Sequence, residues 1–117
     1  IEAPTLELAG GVCDVDEAPL ETAKRELLEE TGFASNDWIS LGQVSSNPAM
    51  QDNYTHSFLA RNCTKISEQN LDGNERINVH LLPLSDFLEG VLSGVIHHSL
   101  VTATTAKYLL YKEAQKA

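Results

Sequence analysis

Apolar and polar residues alternate along "TLELAG", Thr5 to Gly10, which predicts a strand running into a glycine turn. "CDVDEAP" has no period and reads as a loop. The spacing then changes. Taking Leu20 as the zero of a helical wheel, Ala23, Leu27 and Thr31 fall within about 60° of it, and Leu28 at about 80°. This stripe predicts a helix from Pro19 to about Thr31, with the proline in its first turn and Gly32 as its C-terminal cap. Lys24 intrudes near the stripe and is read as snorkelling outward.

Beyond the glycine, "WISLGQVSS" predicts a second strand interrupted at Gly42, and "YTHSFLAR" a third. The loop "SNPAMQDN" joins them, and the longer polar loop "CTKISEQNLDGNE" follows. "RINVHLLPL" predicts a fourth strand ended by Pro83. "LSDFLEGVLSG" predicts a short helix capped by Ser85, and "HHSLVTATTAKYLLYKEAQKA" a longer closing helix. No repeat, low-complexity run or linker interrupts the series. Strands separated by helices of this length predict a single α/β domain over residues 1–117, built as a sandwich with a mixed sheet.

At 117 residues the chain can bury one modest core. Its net charge of −9 argues against nucleic acid, or any partner held mainly by phosphate contacts. A polyanionic substrate would need a bridging cation. The apolar runs are far too short to span a membrane, and no signal peptide is visible. Cys13 and Cys63 form no CxxC pair, so neither a disulfide framework nor a zinc site is expected, and a reducing cytoplasm fits.

The candidate chemistry lies on the far side of the first helix. On the same wheel Glu29 falls at about 180°, Glu26 at about 240° and Glu30 at about 280°, with Arg25 beside them at about 140°. Like charges three and four residues apart repel. Either water solvates all three acids, or a strong positive charge belongs among them. The Gly10-Gly11 turn and Glu17 just upstream favour the cation, because hard divalent ions take carboxylate oxygens supplemented by a backbone carbonyl.

From Gly11 to Phe33 the chain resembles the Nudix box, the signature of the Nudix hydrolases. Gly11, Glu17, Arg25, Glu26, Leu27, Glu29, Glu30, Gly32 and Phe33 fill its specified positions. The resemblance implies an α/β/α sandwich in which a loop–helix–loop binds Mg²⁺ or Mn²⁺ and hydrolyses a nucleoside diphosphate linked to another group. It implies Glu26, Glu29 and Glu30 as metal ligands and catalytic acids, with the Gly10 carbonyl adding a ligand. Gly11, Glu17 and Arg25 would brace the loop. A general base is also wanted; the resemblance favours Glu75 over Glu68, because Glu75 directly precedes the fourth predicted strand, where relatives often place a working Glu.

Pro48 stands fifteen residues beyond Phe33, a spacing that resembles the ADP-ribose pyrophosphatases and implies a substrate contact there. The segment departs from those relatives in carrying Gln51, Asp52 and Asn53 where an acid often follows the proline. His56 is read as hydrogen-bonded in the core, and His97 and His98 as a helix start. The box begins only ten residues in, so the front strands of the sheet are expected to be missing from this sequence, and a homodimer sharing such strands is expected. Two alternatives stand beside ADP-ribose or a nucleotide sugar as the small-molecule substrate. One is a non-catalytic nucleotide-binding module; the other is an enzyme for nucleoside triphosphates, dinucleoside polyphosphates or coenzyme A.

Overall fold

The computed structural model describes residues 8–10, 16–45 and 54–116. Elements follow in the order α1 (Pro19–Thr31), β1 (Phe33–Ala34), β2 (Asp37–Ser45), β3 (Tyr54–Arg61), β4 (Thr64–Lys65), α2 (Leu84–Ser93) and α3 (Ser99–Gln115). β1 and β4 pair antiparallel, Phe33 opposite Lys65 and Ala34 opposite Thr64. β2 and β3 form a second two-stranded sheet. The architecture is α/β. No helix among the described residues is long and apolar enough to cross a membrane.

The chain gathers into two compact units. One comprises Ala9–Ile39 and Phe58–Leu81, and so holds α1, β1 and β4. Its aromatic contact sets Trp38 against Phe58, edge to face, with ring centroids 6.5 Å apart. Arg61 closes on Asp37 through Nε at 3.0 Å and Nη2 at 3.2 Å. The other unit comprises Ile1–Leu8, Ser40–Ser57 and Leu82–Ala117. There Ile96 and Val101 are buried, and Ile96 lies so close to Gly90 of α2 that a Cβ at that glycine would sit 2.8 Å from its Cδ1. Ser57 Oγ and Thr104 Oγ1 pair at 2.8 Å, which ties β3 to α3 within this unit.

The helices begin and end for local reasons. Pro19 opens α1 where its missing N–H costs nothing, and Gly32 closes it at φ 77°, donating its N–H to Leu28 O. His98 caps α3 by accepting the Leu100 N–H at Nδ1, 3.2 Å away.

Four expectations are corrected. Residues 76–83 form no strand, although they alternate, because no neighbouring strand pairs with them among the described residues. Pro83, not Ser85, stands at the N-cap of α2, which starts two residues earlier than a Ser85 cap would set and has no side-chain cap. His56 is exposed rather than held in a core. In the first predicted strand, Leu8 to Gly10 are not in strand conformation, and Thr5 to Glu7 lie outside the described residues.

Candidate active site

The site is built on α1 and on the turn leading into it. Asp16 adopts a left-handed conformation, φ 65°, which Asp tolerates better than most residues and which turns the chain toward the helix. Glu17 is thereby folded back over the first turns. Thr22, the buried residue of α1, donates Oγ1–H to Glu17 Oε1 at 2.7 Å. Arg25 grips the same carboxylate with both arms, Nε to Oε2 at 2.9 Å and Nη2 to Oε1 at 3.0 Å. Such a two-pronged pair fixes orientation as well as charge.

Arg25 reaches further. Its Nη1 donates to Glu26 Oε1 at 2.9 Å and to Glu29 Oε2 at 3.3 Å. One guanidinium thus neutralises part of three acids, all largely covered from water. Glu29 is drawn toward Arg25. Burial pushes the Glu30 carboxyl up to about 7; the Gly10 N–H, 3.3 Å from Oε2, opposes this, and Glu26 and then Glu75 add to the rise. No three Asp, Glu, His or Cys groups among the described residues converge as a ready-made metal cage.

Glu75 stands in a tight turn that it helps to make. Its N–H donates to Asp72 O at 2.8 Å, and its Oε1 accepts the Asp72 N–H at 2.9 Å. Glu68, the other candidate base, projects almost wholly into solvent with Lys65 Nζ 3.8 Å away. Gly11 and Pro48 lie outside the described residues. Gly32 is buried because the 66–68 backbone passes directly over it: Ile66 and Ser67 both donate to Gly32 O, at 2.9 and 3.2 Å.

Two residues here were not foreseen. Thr22 lies opposite Leu20 on the wheel, outside the apolar stripe; its position three residues before Arg25 was the available signal. Gln69 sits in a polar loop with no period and gave no signal. Its amide contacts the backbone of α1 and of the following segment.

An acidic helix beside a turn, with one arginine organising three carboxylates and a fourth whose carboxyl is raised by burial, defines the candidate site. The fold carrying it matches that of a solved ADP compounds hydrolase, with a TM-score of 0.76 at 23% identity over 90% of this chain and 56% of that one. The NUDIX domain model matches residues 2–99, and the chain belongs to that family. Among curated relatives, the ADP-ribose pyrophosphatase of Bacillus subtilis (strain 168) is 32% identical over the whole of this chain and 63% of its own length. The methanol dehydrogenase activator of Bacillus methanolicus is 29% identical over 99% of this chain and 63% of its own. The ADP-ribose pyrophosphatase of Mycobacterium tuberculosis is 29% identical over 83% and 48% respectively. The chain therefore spans at most 63% of the length of these relatives.

Proposed function

We propose that the chain is the hydrolytic domain of a metal-dependent pyrophosphatase that cleaves a nucleoside diphosphate linked to another moiety, with ADP-ribose the first substrate to test. The observation that carries this reading is the gathering of Glu17, Glu26 and Glu29 around the single guanidinium of Arg25, on the helix that also bears Glu30. Relatives named as ADP-ribose pyrophosphatases, aligned along most of the chain, support the choice of substrate.

The donor set fits a hard divalent cation. Glu30, whose carboxyl burial raises to about 7, and Glu26 beside it would gain more from Mg²⁺ or Mn²⁺ than from water. Glu26 and Glu30 would hold the ion, Glu29 would join by turning from Arg25, and the Gly10 carbonyl is the backbone candidate. Bound there, the ion supplies neutralisation of the diphosphate charge and acidifies a water molecule. Arg25 keeps the acids in register through Glu17, and Thr22 fixes Glu17 in turn. Glu75 would take the proton of the attacking water, its Oε1 oriented by the Asp72 N–H. We assign the protein to the cytoplasm, supported by its free, exposed Cys63. We also assign it to a homodimer, supported by the apolar side chains of Leu92, Val95 and Leu110 that the α2–α3 unit exposes; a monomer in light scattering at micromolar concentration would refute that.

The test is a panel of ADP-ribose, nucleotide sugars, nucleoside triphosphates, dinucleoside polyphosphates and coenzyme A with Mg²⁺ or Mn²⁺, products resolved by chromatography. AMP and ribose 5-phosphate from ADP-ribose, lost in Glu30→Gln with the fold intact, is the expected result. Turnover confined to triphosphates would reassign the substrate. Binding without turnover would favour a nucleotide-sensing module, a reading that draws support from the methanol dehydrogenase activator among its relatives.

A further inference from the structure

A helix leaves its last carbonyls without intrahelical partners, and something must satisfy them. At the C-terminus of α1 that work falls to residues 66–70. Asn70 N–H donates to Glu29 O at 2.8 Å, and Ile66 and Ser67 N–H donate to Gly32 O. The Glu30 carbonyl is reached differently. Gln69 Nε2 donates to it at 2.7 Å and, with its second hydrogen, to Ile77 O at 2.9 Å. Both neighbours are carbonyls, which can only accept, so the amide nitrogen must face them. One side chain therefore joins the backbone of Glu30 to a point two residues past Glu75.

That link closes the loop 69–77. Inside it the bonds that involve Glu75 are those with Asp72, which set the turn but not its distance from α1. The amide of Gln69 fixes the Ile77 end of this loop against the Glu30 backbone of α1.

We propose that Gln69 is a positioning residue for Glu75, holding the general base at working distance from the acids of α1 through its paired hydrogen bonds to the Glu30 and Ile77 carbonyls. The inference rests on the reading of Glu75 as the base. It differs from a structural role because Gln69 is exposed and bridges two surface carbonyls, so its loss acts on where Glu75 stands more than on whether the chain folds.

The experiment is steady-state ADP-ribose hydrolysis with Mn²⁺ by wild type, Gln69→Met, Gln69→Lys, Glu75→Gln and the Gln69→Met/Glu75→Gln double variant, each with a melting curve. Methionine keeps the length of the side chain and removes both donors; lysine keeps donors. Gln69→Met should lower kcat about tenfold with KM within about twofold, a modest part of what a misplaced catalytic group can cost. Glu75→Gln should lower kcat by about a hundredfold or more. The double variant should match Glu75→Gln alone within about twofold, since a group that acts through another has nothing left to position. Gln69→Lys should keep kcat within about threefold of wild type. An unchanged kcat in Gln69→Met, a Gln69→Lys loss as large as that of Gln69→Met, or multiplied losses in the double variant would overturn the inference and leave the reading of the site standing. Full activity in Glu75→Gln, or a wild-type protein inert on the whole substrate panel, would overturn that reading and this inference with it.

Discussion

Replacing Gly32 by alanine tests how tightly the site is built, because two separate costs meet at that residue. Its φ of 77° is left-handed, and an L-residue there loses about 1 kcal/mol. A Cβ would also fall well inside contact distance of the Ser67 carbonyl oxygen, with the Ser67 carbonyl carbon only 3.0 Å away. The obstacle is backbone, so the strand of chain at 66–68 must move, giving up the Ile66 and Ser67 hydrogen bonds to Gly32 O at about 1 kcal/mol each. The sum is about 3 kcal/mol, or a fall in Tm of about 12 °C for a chain of this size. Two other glycines separate the contributions. Gly94 is left-handed at φ 86° with nothing within 4 Å of the point a methyl would occupy, so Gly94→Ala should cost the conformational part alone, about 1 kcal/mol. Gly73 has neither a positive φ nor a neighbour within 4 Å, and Gly73→Ala should fall within about 0.5 kcal/mol of wild type. Thermal melts of the three variants followed by circular dichroism supply the comparison. A Gly32→Ala protein no less stable than Gly94→Ala would show that the 66–68 backbone does not press on the helix cap, and the account of α1's C-terminus would fail.

The charge network makes three further predictions. Arg25→Met strands Glu17, Glu26 and Glu29 without their shared cation and should cost about 2–3 kcal/mol at pH 7; Arg25→Lys, which keeps the charge but not the fork, should recover less than half of that in urea melts. Thr22→Val preserves shape but deletes the donor to Glu17, and a loss of about 1 kcal/mol is expected in the same assay. Glu30 is held at about 7 against an ordinary 4.5, so the folded protein binds its proton more tightly than the unfolded chain does. Its contribution is therefore complete below pH 4.5 and is lost as pH rises through 7; with solvent screening the change is about 1 kcal/mol, visible as a declining Tm in chelator and flattened in Glu30→Gln.

What the sequence made legible, and what it did not, divides along a physical line. α1 and β3 have the bounds that periodicity, a leading proline and a trailing glycine assign them, because these signals act within a few residues of where they are written. The carboxylates of α1 were likewise set on one arc by helix geometry alone. The segment 76–83 went wrong for the opposite reason. Alternation specifies a chain able to pleat, but a ladder needs a partner elsewhere, and alternation says nothing about whether one is present. In that segment the Ile77 carbonyl is taken by the side chain of Gln69 instead. The same non-local logic hid Gln69 itself: a polar residue in an aperiodic loop acquires its role only when the helix end it serves is folded against it. The acids of α1 are thus readable from two turns of helix, whereas the placement proposed for Glu75 depends on contacts reaching some forty residues along the chain, from Glu30 to Gln69. Substitutions on α1 should accordingly act on the acids directly, and substitutions at 69–77 on the distance between those acids and Glu75, the proposed base.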